Sequence, residues 1–337
     1  MVKRAMASLV LLLIAAVMMT ACGGGNTAST SPAATNNASG QTGDKAAQTP
    51  APATPAATTK KVKYLDKEYT LPADTKRIVM TGAVEAMEDA IVLDVQPVGA
   101  ITFSGVFPPM FQSIAKSAKS IGEKSEPNFE SIIALKPDVI LGTPKFKPEV
   151  AEKLEKIAPT IPYSHIATDW EANLLLLGEL SGKKAQAEQA IAKYKSDLSA
   201  AKLKLGEKLK GKKVVAIRIR NGDAYIYPDS IFFNPSLYGD LGLEVPAEVK
   251  AAKAQELISV EKLAEMNPDY MFIQFSPDEN KDKPNGLDDF KKNPILKNVN
   301  ALKNNKAFVN VVDPLAQGGT AYSKIEFLKA AVNSLNQ

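Results

Sequence analysis

The chain carries one cysteine, one histidine and one tryptophan among 337 residues. A lone cysteine excludes a disulfide framework and any cysteine-built metal cluster. A lone histidine, His165, removes most other transition-metal sites, because imidazole is their commonest ligand. A Ser-His-Asp hydrolase would have to use His165 itself. The sequence also has no Gly-x-Ser-x-Gly elbow, no P-loop and no second histidine to share acid–base work, which argues against a secreted α/β enzyme. Net charge is scarce too. The formal +4 falls to +2 when Lys3 and Arg4 leave with a signal segment, too little for a nucleic-acid binder. The rest, 45% hydrophobic and 23% charged, is ordinary globular composition.

The single cysteine is placed tellingly. Lys3 and Arg4 form a basic n-region, and residues 5–20 an apolar stretch of about 16, too short to span a membrane but right for a signal core. Met19-Thr20-Ala21-Cys22 then reads as a lipobox, with Met19 where Leu is usual. Residues 1–21 are therefore expected to be a lipoprotein signal peptide, and Cys22 the lipidated residue that holds the protein on the extracytoplasmic face of a bacterial membrane. Residues 22–60 are Ala, Thr, Pro, Gly, Ser, Asn and Gln with few charges, a composition that cannot bury a core. They read as a flexible tether reaching on the order of 35 Å.

From residue 61 onward, strand-like and helix-like segments alternate, which predicts α/β architecture with parallel sheets. Arg77-Ile78-Val79-Met80 reads as a strand, 85–93 as a helix, 97–102 as a strand, 128–135 as a helix and 138–142 as a buried strand. The second half repeats the scheme, with strands at 213–219, Tyr225-Ile226-Tyr227, 270–274 and 307–312, and helices near 260–266 and 326–335. Between the halves, a Lys-, Glu- and Ala-rich segment has helical apolar spacing, interrupted near Ser181-Gly182. The expected organisation is a lobe over 61–170, a connecting helix over 171–210 and a second lobe over 211–337.

An internal repeat supports this division. Asn128-Phe129-Glu130, followed by Lys136-Pro137-Asp138-Val139-Ile140, matches Ser259-Val260-Glu261, followed by Asn267-Pro268-Asp269-Tyr270-Met271. Asn128 and Ser259 are good N-caps, and each Pro-Asp pair stops its helix before a strand. Each lobe thus presents one acid, Glu130 or Glu261, in the first turn of an equivalent helix. The plain alternative is that both acids only complement helix dipoles.

These features resemble the substrate-binding lipoproteins that deliver ferric siderophores, and sometimes vitamin B12 or haem, to ABC importers. The carrying residues are the lipobox, Arg77-Ile78-Val79 and the repeated block; the likeness runs from about Leu65 to the C-terminus. It implies a class III fold, in which two Rossmann-like lobes with parallel sheets are joined by a single long helix. Ile121-Gly122-Glu123-Lys124, Gly142-Thr143-Pro144-Lys145-Phe146, Arg218-Ile219-Arg220 and Lys253-Ala254-Gln255-Glu256 are most similar to Bacillus-type binders of catecholate siderophores such as bacillibactin and enterobactin. Residue by residue, the resemblance implies that Lys124, Lys145, Arg218, Arg220, Lys253 and Gln255 face the ligand. It also implies that Glu130 and Glu261 dock onto arginines of the permease. The partners implied are the ferric siderophore, the permease and the membrane, with no nucleic acid, no cofactor, no protein-held metal and a monomeric chain.

The chemistry of such a ligand is independent of the resemblance. Three catecholates fill the octahedral shell of ferric iron and leave a trianion, so its receptor needs cations rather than metal ligands. Arg218 and Arg220 at i and i+2 point to one face of a strand, and guanidinium can both stack on catechol rings and donate to their oxygens. Such arginines are costly to bury unpaired, and Asp223 or Asp240 are the acids that would pair with them as ordinary structure. Tyr225, Tyr227, Tyr238 and His165 are weaker candidates for the cleft wall, Trp170 reads as core or interlobe packing, and Gln317-Gly318-Gly319 is a loop poorly suited to phosphate. A hydroxamate siderophore, haem or cobalamin is the alternative ligand within the class; a surface adhesin or secreted enzyme is the alternative outside it.

Overall fold

Two five-stranded sheets with the same strand order organise the computed structural model, which describes residues 58–337. The signal segment, Cys22 and nearly all of the expected tether lie outside the described residues.

The first described element is a hairpin of β1 (Thr59–Tyr64) and β2 (Lys67–Pro72), turned at Leu65 and Asp66. Its signal in the sequence is the alternation Lys61-Val62-Lys63-Tyr64, which buries Val62 and Tyr64 and exposes the lysines. The first lobe follows as β3 (Ile78–Thr81), α1 (Val84–Leu93), β4 (Gly99–Thr102), β5 (Lys119–Glu123), α2 (Phe129–Ala134), β6 (Val139–Gly142), α3 (Pro148–Glu155) and β7 (Thr160–Pro162). Its sheet has the order β5-β4-β3-β6-β7 with every pair parallel.

The connection is a pair of helices, α4 (Trp170–Ser181) and α5 (Lys184–Leu209). Gly182 ends α4 in the left-handed conformation, φ 72°, which glycine adopts without a side-chain clash. Of the expected connecting segment, the part beyond that glycine is the long helix: α5 has 26 residues and a span of about 39 Å.

The second lobe comprises β8 (Val214–Arg220), β9 (Asp223–Ile226), α6 (Ala247–Ala251), β10 (Glu256–Leu257), α7 (Val260–Met266), β11 (Tyr270–Phe275), α8 (Gly286–Lys292), α9 (Asn300–Lys303), β12 (Ala307–Val309) and α10 (Ala321–Leu335). Its order, β10-β9-β8-β11-β12, repeats the first, but only β8, β11 and β12 are parallel. The parallel expectation is corrected here, because β9 pairs antiparallel with β8 and β10 with β9. The cause is local. Asn221 and Gly222 both take positive φ, 48° and 82°, and a two-residue turn of that kind returns the chain as a hairpin.

The repeat has a structural meaning in each lobe. Asn128 and Ser259 accept hydrogen bonds from the backbone N–H groups of Ser131 and Lys262, so both are N-caps as expected. The repeated acids then clamp the start of each central strand: Asp138 accepts from Lys76 N and Arg77 N, and Asp269 from Lys213 N. The lobes share one continuous core, in which buried Trp170 meets Tyr194 edge-on at 5.2 Å.

Candidate functional site

In open α/β sheets, ligands sit beyond the carboxyl ends of the strands, where the strand order reverses. In the first lobe that point lies between β3 and β6. Glu85, in the first turn of α1, follows β3, and Lys145 follows β6, while Lys124 follows the edge strand β5. In the second lobe it lies between β8 and β11, where Arg218 and Arg220 end β8 and Glu279 follows β11. The duplicated topology thus puts cations and one acid at the same place in both lobes.

Glu279 is the centre of the second-lobe cluster. Its carboxylate accepts from Arg218 Nε and Nη2, both at 2.8 Å, and from Arg220 Nη2 at 2.7 Å. Burial alone would raise its pKa, but Arg220 and Arg218 outweigh burial and hold it below the usual carboxylate range. Burial also disfavours the charged form of Arg220, yet Glu279 more than compensates and the guanidinium stays firmly protonated. Asp223 and Asp240 are therefore not the arginines' partners; Asp240 instead accepts from Lys324 and Tyr194. Gln255 Oε1 accepts from Arg220 Nη1 and from Tyr227 OH, which leaves its amide N–H groups as the end free for a ligand oxygen.

The first-lobe cations face this cluster. Glu123 accepts from Thr102 Oγ1, Ser104 N and Gly105 N, which fixes the strand end that carries Lys124. Lys124 reaches solvent but stands between protein walls, so desolvation lowers its pKa. The charges of Lys145, Arg218 and Arg220 lower it further, and Glu85 opposes them. His165 is pulled below the usual imidazole value by desolvation and by Lys145, against Glu85 and Asp169. Lys124, Lys145, Arg218, Arg220 and Gln255 are thus brought together, and His165 stands beside them. Lys253 is exposed on the segment that carries Gln255, with no hydrogen bond or ion pair to its ammonium among the described residues.

Tyr227 belongs to the site through Gln255 and stacks on Phe232 at 4.6 Å, whereas Tyr238 is buried and donates to Val214 O. Glu279 and Glu85 are the residues that sequence reasoning missed. The available signal for Glu279 was its place just past a predicted strand of a βα repeat, the position where such folds build their sites. Glu130 and Glu261 lie in the first turns of α2 and α7, exposed and without ion pairs among the described residues.

This geometry defines a class: a two-lobed α/β receptor whose cationic cleft, built from both lobes, suits an anionic ligand. The periplasmic binding protein family model matches residues 95–310, and the chain belongs to that family. The chain is 55% identical over 278 residues to the iron-uptake system-binding protein of Bacillus subtilis, covering 82% of this chain and 88% of that one. It is 30% identical over 249 residues to the probable siderophore-binding lipoprotein YfiY of the same organism, covering 70% and 75%. Among solved structures, it is similar to the triscatecholate siderophore binding protein FeuA of Bacillus subtilis complexed with ferri-bacillibactin. The TM-score is 0.78 at 55% identity, over 82% of this chain and 98% of that one.

Proposed function

We propose that the chain is a membrane-tethered receptor that binds a ferric catecholate siderophore between its lobes and delivers it to an ABC importer for iron uptake. The observation that carries the reading is the convergence of Lys124 and Lys145 from one lobe with Arg218 and Arg220 from the other. A ferric triscatecholate supplies all six ligands to its iron and brings three negative charges, so the receptor contributes charge and shape rather than coordination. The 55% identical relative solved with ferri-bacillibactin supports the same ligand class, over hydroxamates, haem or cobalamin. Members of this family bind and hand over a substrate, and no chemical conversion is assigned to the cleft.

In this reading Lys124, Lys145, Arg218, Arg220, Lys253 and Gln255 contact the siderophore, the arginines against catecholate oxygens and ring faces. Glu130 and Glu261 engage arginines of the two permease subunits, one lobe on each; their exposure on equivalent helices supports this. The lipid on Cys22 anchors the monomer at the extracytoplasmic face, in keeping with the lipobox and with the lipoprotein YfiY. No helix among the described residues is long and apolar enough to cross a membrane.

Calorimetric titration with ferric bacillibactin, ferric enterobactin and a ferric hydroxamate tests the ligand class. Tight binding of the two catecholates and weak binding of the hydroxamate is expected. A hydroxamate preference would overturn the assignment of the cationic cleft.

A further inference from the structure

One carboxylate holds both arginines of the cleft, and it is itself held. Glu279 sits in a short helical turn, Pro277–Asn280, directly after β11. Asn280, fully buried, donates to Ile219 O at 3.0 Å and Ser276 O at 2.8 Å, and accepts from Gly222 N at 3.0 Å. Asn221 N donates to Glu279 O at 3.0 Å. These bonds lock the turn to the β8–β9 hairpin. On the far side, Arg220 is tied to Gln255, and the Arg218 guanidinium lies 6.0 Å from the Phe232 ring centre. Protein groups thus hold both guanidiniums in place.

Glu279 has two opposed effects on an incoming anion. As a negative charge in a cleft built to attract anions, it weakens binding. As an acceptor shared by two adjacent cations, it removes their mutual repulsion and the rotamer freedom they would otherwise lose on binding. Glu279 accepts from both guanidiniums, and its own turn is fastened through Asn280 and Asn221 N. The shared, fastened arrangement favours the second effect.

We propose that Glu279 is a positioning residue that presents Arg218 and Arg220 as one preformed surface to the anionic ligand. The proposal rests on the siderophore-receptor reading for the identity of that ligand, but not for the state of the free protein.

Glu85 provides the control. It is the acid of the opposite wall, facing Lys124 and His165, and its carboxylate makes no hydrogen bond or ion pair among the described residues. Affinity for ferric bacillibactin would be measured in wild type, Glu279→Gln and Glu85→Gln. Removing a negative charge alone should tighten binding in both, by about two- to fivefold. Positioning predicts that only Glu85→Gln gains, while Glu279→Gln loses roughly tenfold or more. Glu279→Asp, which keeps the charge on a shorter arm, should fall between wild type and Glu279→Gln. Equal or tighter binding by a folded Glu279→Gln would overturn the proposal.

A second measurement needs neither variant nor siderophore. The Arg218 Nε–H proton in the free wild-type protein should be resolved and slow to exchange by NMR. Rapid exchange would overturn the proposal even if the binding data agreed. Failure of the wild type to bind any triscatecholate would instead remove the receptor reading, with the NMR result still deciding whether Glu279 holds the arginines.

Discussion

Thr320 Oγ1 donates to the Glu88 carboxylate across 232 residues of sequence, and this hydrogen bond ties α1 of the first lobe to the start of α10. Glu88 also accepts from Ser323 Oγ and, at 2.8 Å, from Gln317 N. Its neighbour Asp89 accepts from Tyr163 OH at 2.7 Å and Ala321 N at 3.0 Å. Two fully buried carboxylates therefore occupy the N-terminus of a 15-residue helix, where free N–H groups and the helix dipole favour negative charge. Phe233 and Phe272 of the second lobe pack on Phe327 of the same helix. With α5 as a second tie, only small hinge motion is expected. X-ray scattering with and without ligand should superimpose, and a large compaction would contradict the latch.

Removing the hydroxyl should be expensive. Thr320→Val keeps the shape but deprives Glu88 of a donor and removes the N-cap that accepts from Ser323 N. A loss of about 1–3 kcal/mol in denaturant unfolding is expected. An unchanged midpoint would show that the bond contributes nothing.

The latch also gives stability a pH dependence of unusual sign. Burial pushes Glu88 up to about 7 and Asp89 up to about 8, against the hydrogen bonds that oppose the shift. The folded state then holds protons that the unfolded state has released. Their contribution is fully present below the ordinary carboxylate values and lost as pH rises through 7 and 8. Thermal unfolding should occur at lower temperature at pH 8.5 than at 5.5, and Glu88→Gln should flatten that trend. A wild type more stable at the higher pH would refute it.

Ligand affinity should fall at alkaline pH sooner than ordinary lysines predict. Lys124 titrates below 10.5 because desolvation, Lys145, Arg218 and Arg220 disfavour its charge. As it loses its proton, the anionic siderophore loses a partner. Lys124→Arg, which stays charged, should carry the affinity to higher pH. Superimposable profiles for the two proteins would remove Lys124 from the site.

Arg220→Ala should weaken ferric catecholate binding by about 1.5–3 kcal/mol, the worth of a charge-assisted hydrogen bond. The fold should survive, because Glu279 keeps Arg218. Unchanged affinity would exclude Arg220 from ligand contact.

Replacing Glu130 and Glu261 together by alanine should abolish cellular uptake of the ferric siderophore and leave its affinity for the isolated protein unchanged. Both acids are exposed, in the first turns of α2 and α7, and neither belongs to the residues assigned to the cleft. Normal uptake by the double variant would end their role in docking.

Much of the fold was legible because its signals are local. The strand at Ile78, the N-caps Asn128 and Ser259, the Gly182 stop and the duplicated block all emerge where the residue pattern places them. The mixed second sheet was legible too, in Asn221-Gly222, but was masked by the expectation of βα repeats. Gln317-Gly318-Gly319 was correctly read as a loop, though not as a wedge. Gly318 has φ +88°, and a Cβ there would lie 2.3 Å from Phe232 O, while one on Gly319 would lie 2.9 Å from the Ala167 side chain. That fit between elements has no local signature.

By itself, the sequence determined the alternation of strands and helices, the two equivalent lobes and the residue types of a cationic cleft. The first two follow from propensity, period and capping within a few residues of chain; the last rests on the family resemblance. Only the tertiary structure decided which acid meets which base. Glu279 reaches Arg218 because parallel pairing sets Gln274 beside Arg218 and carries the next turn over the end of β8. Glu88 finds Thr320 because the last helix returns to the first lobe. Ion pairs and buried hydrogen bonds depend on distance in space and on local burial, and neither is set until distant segments pack.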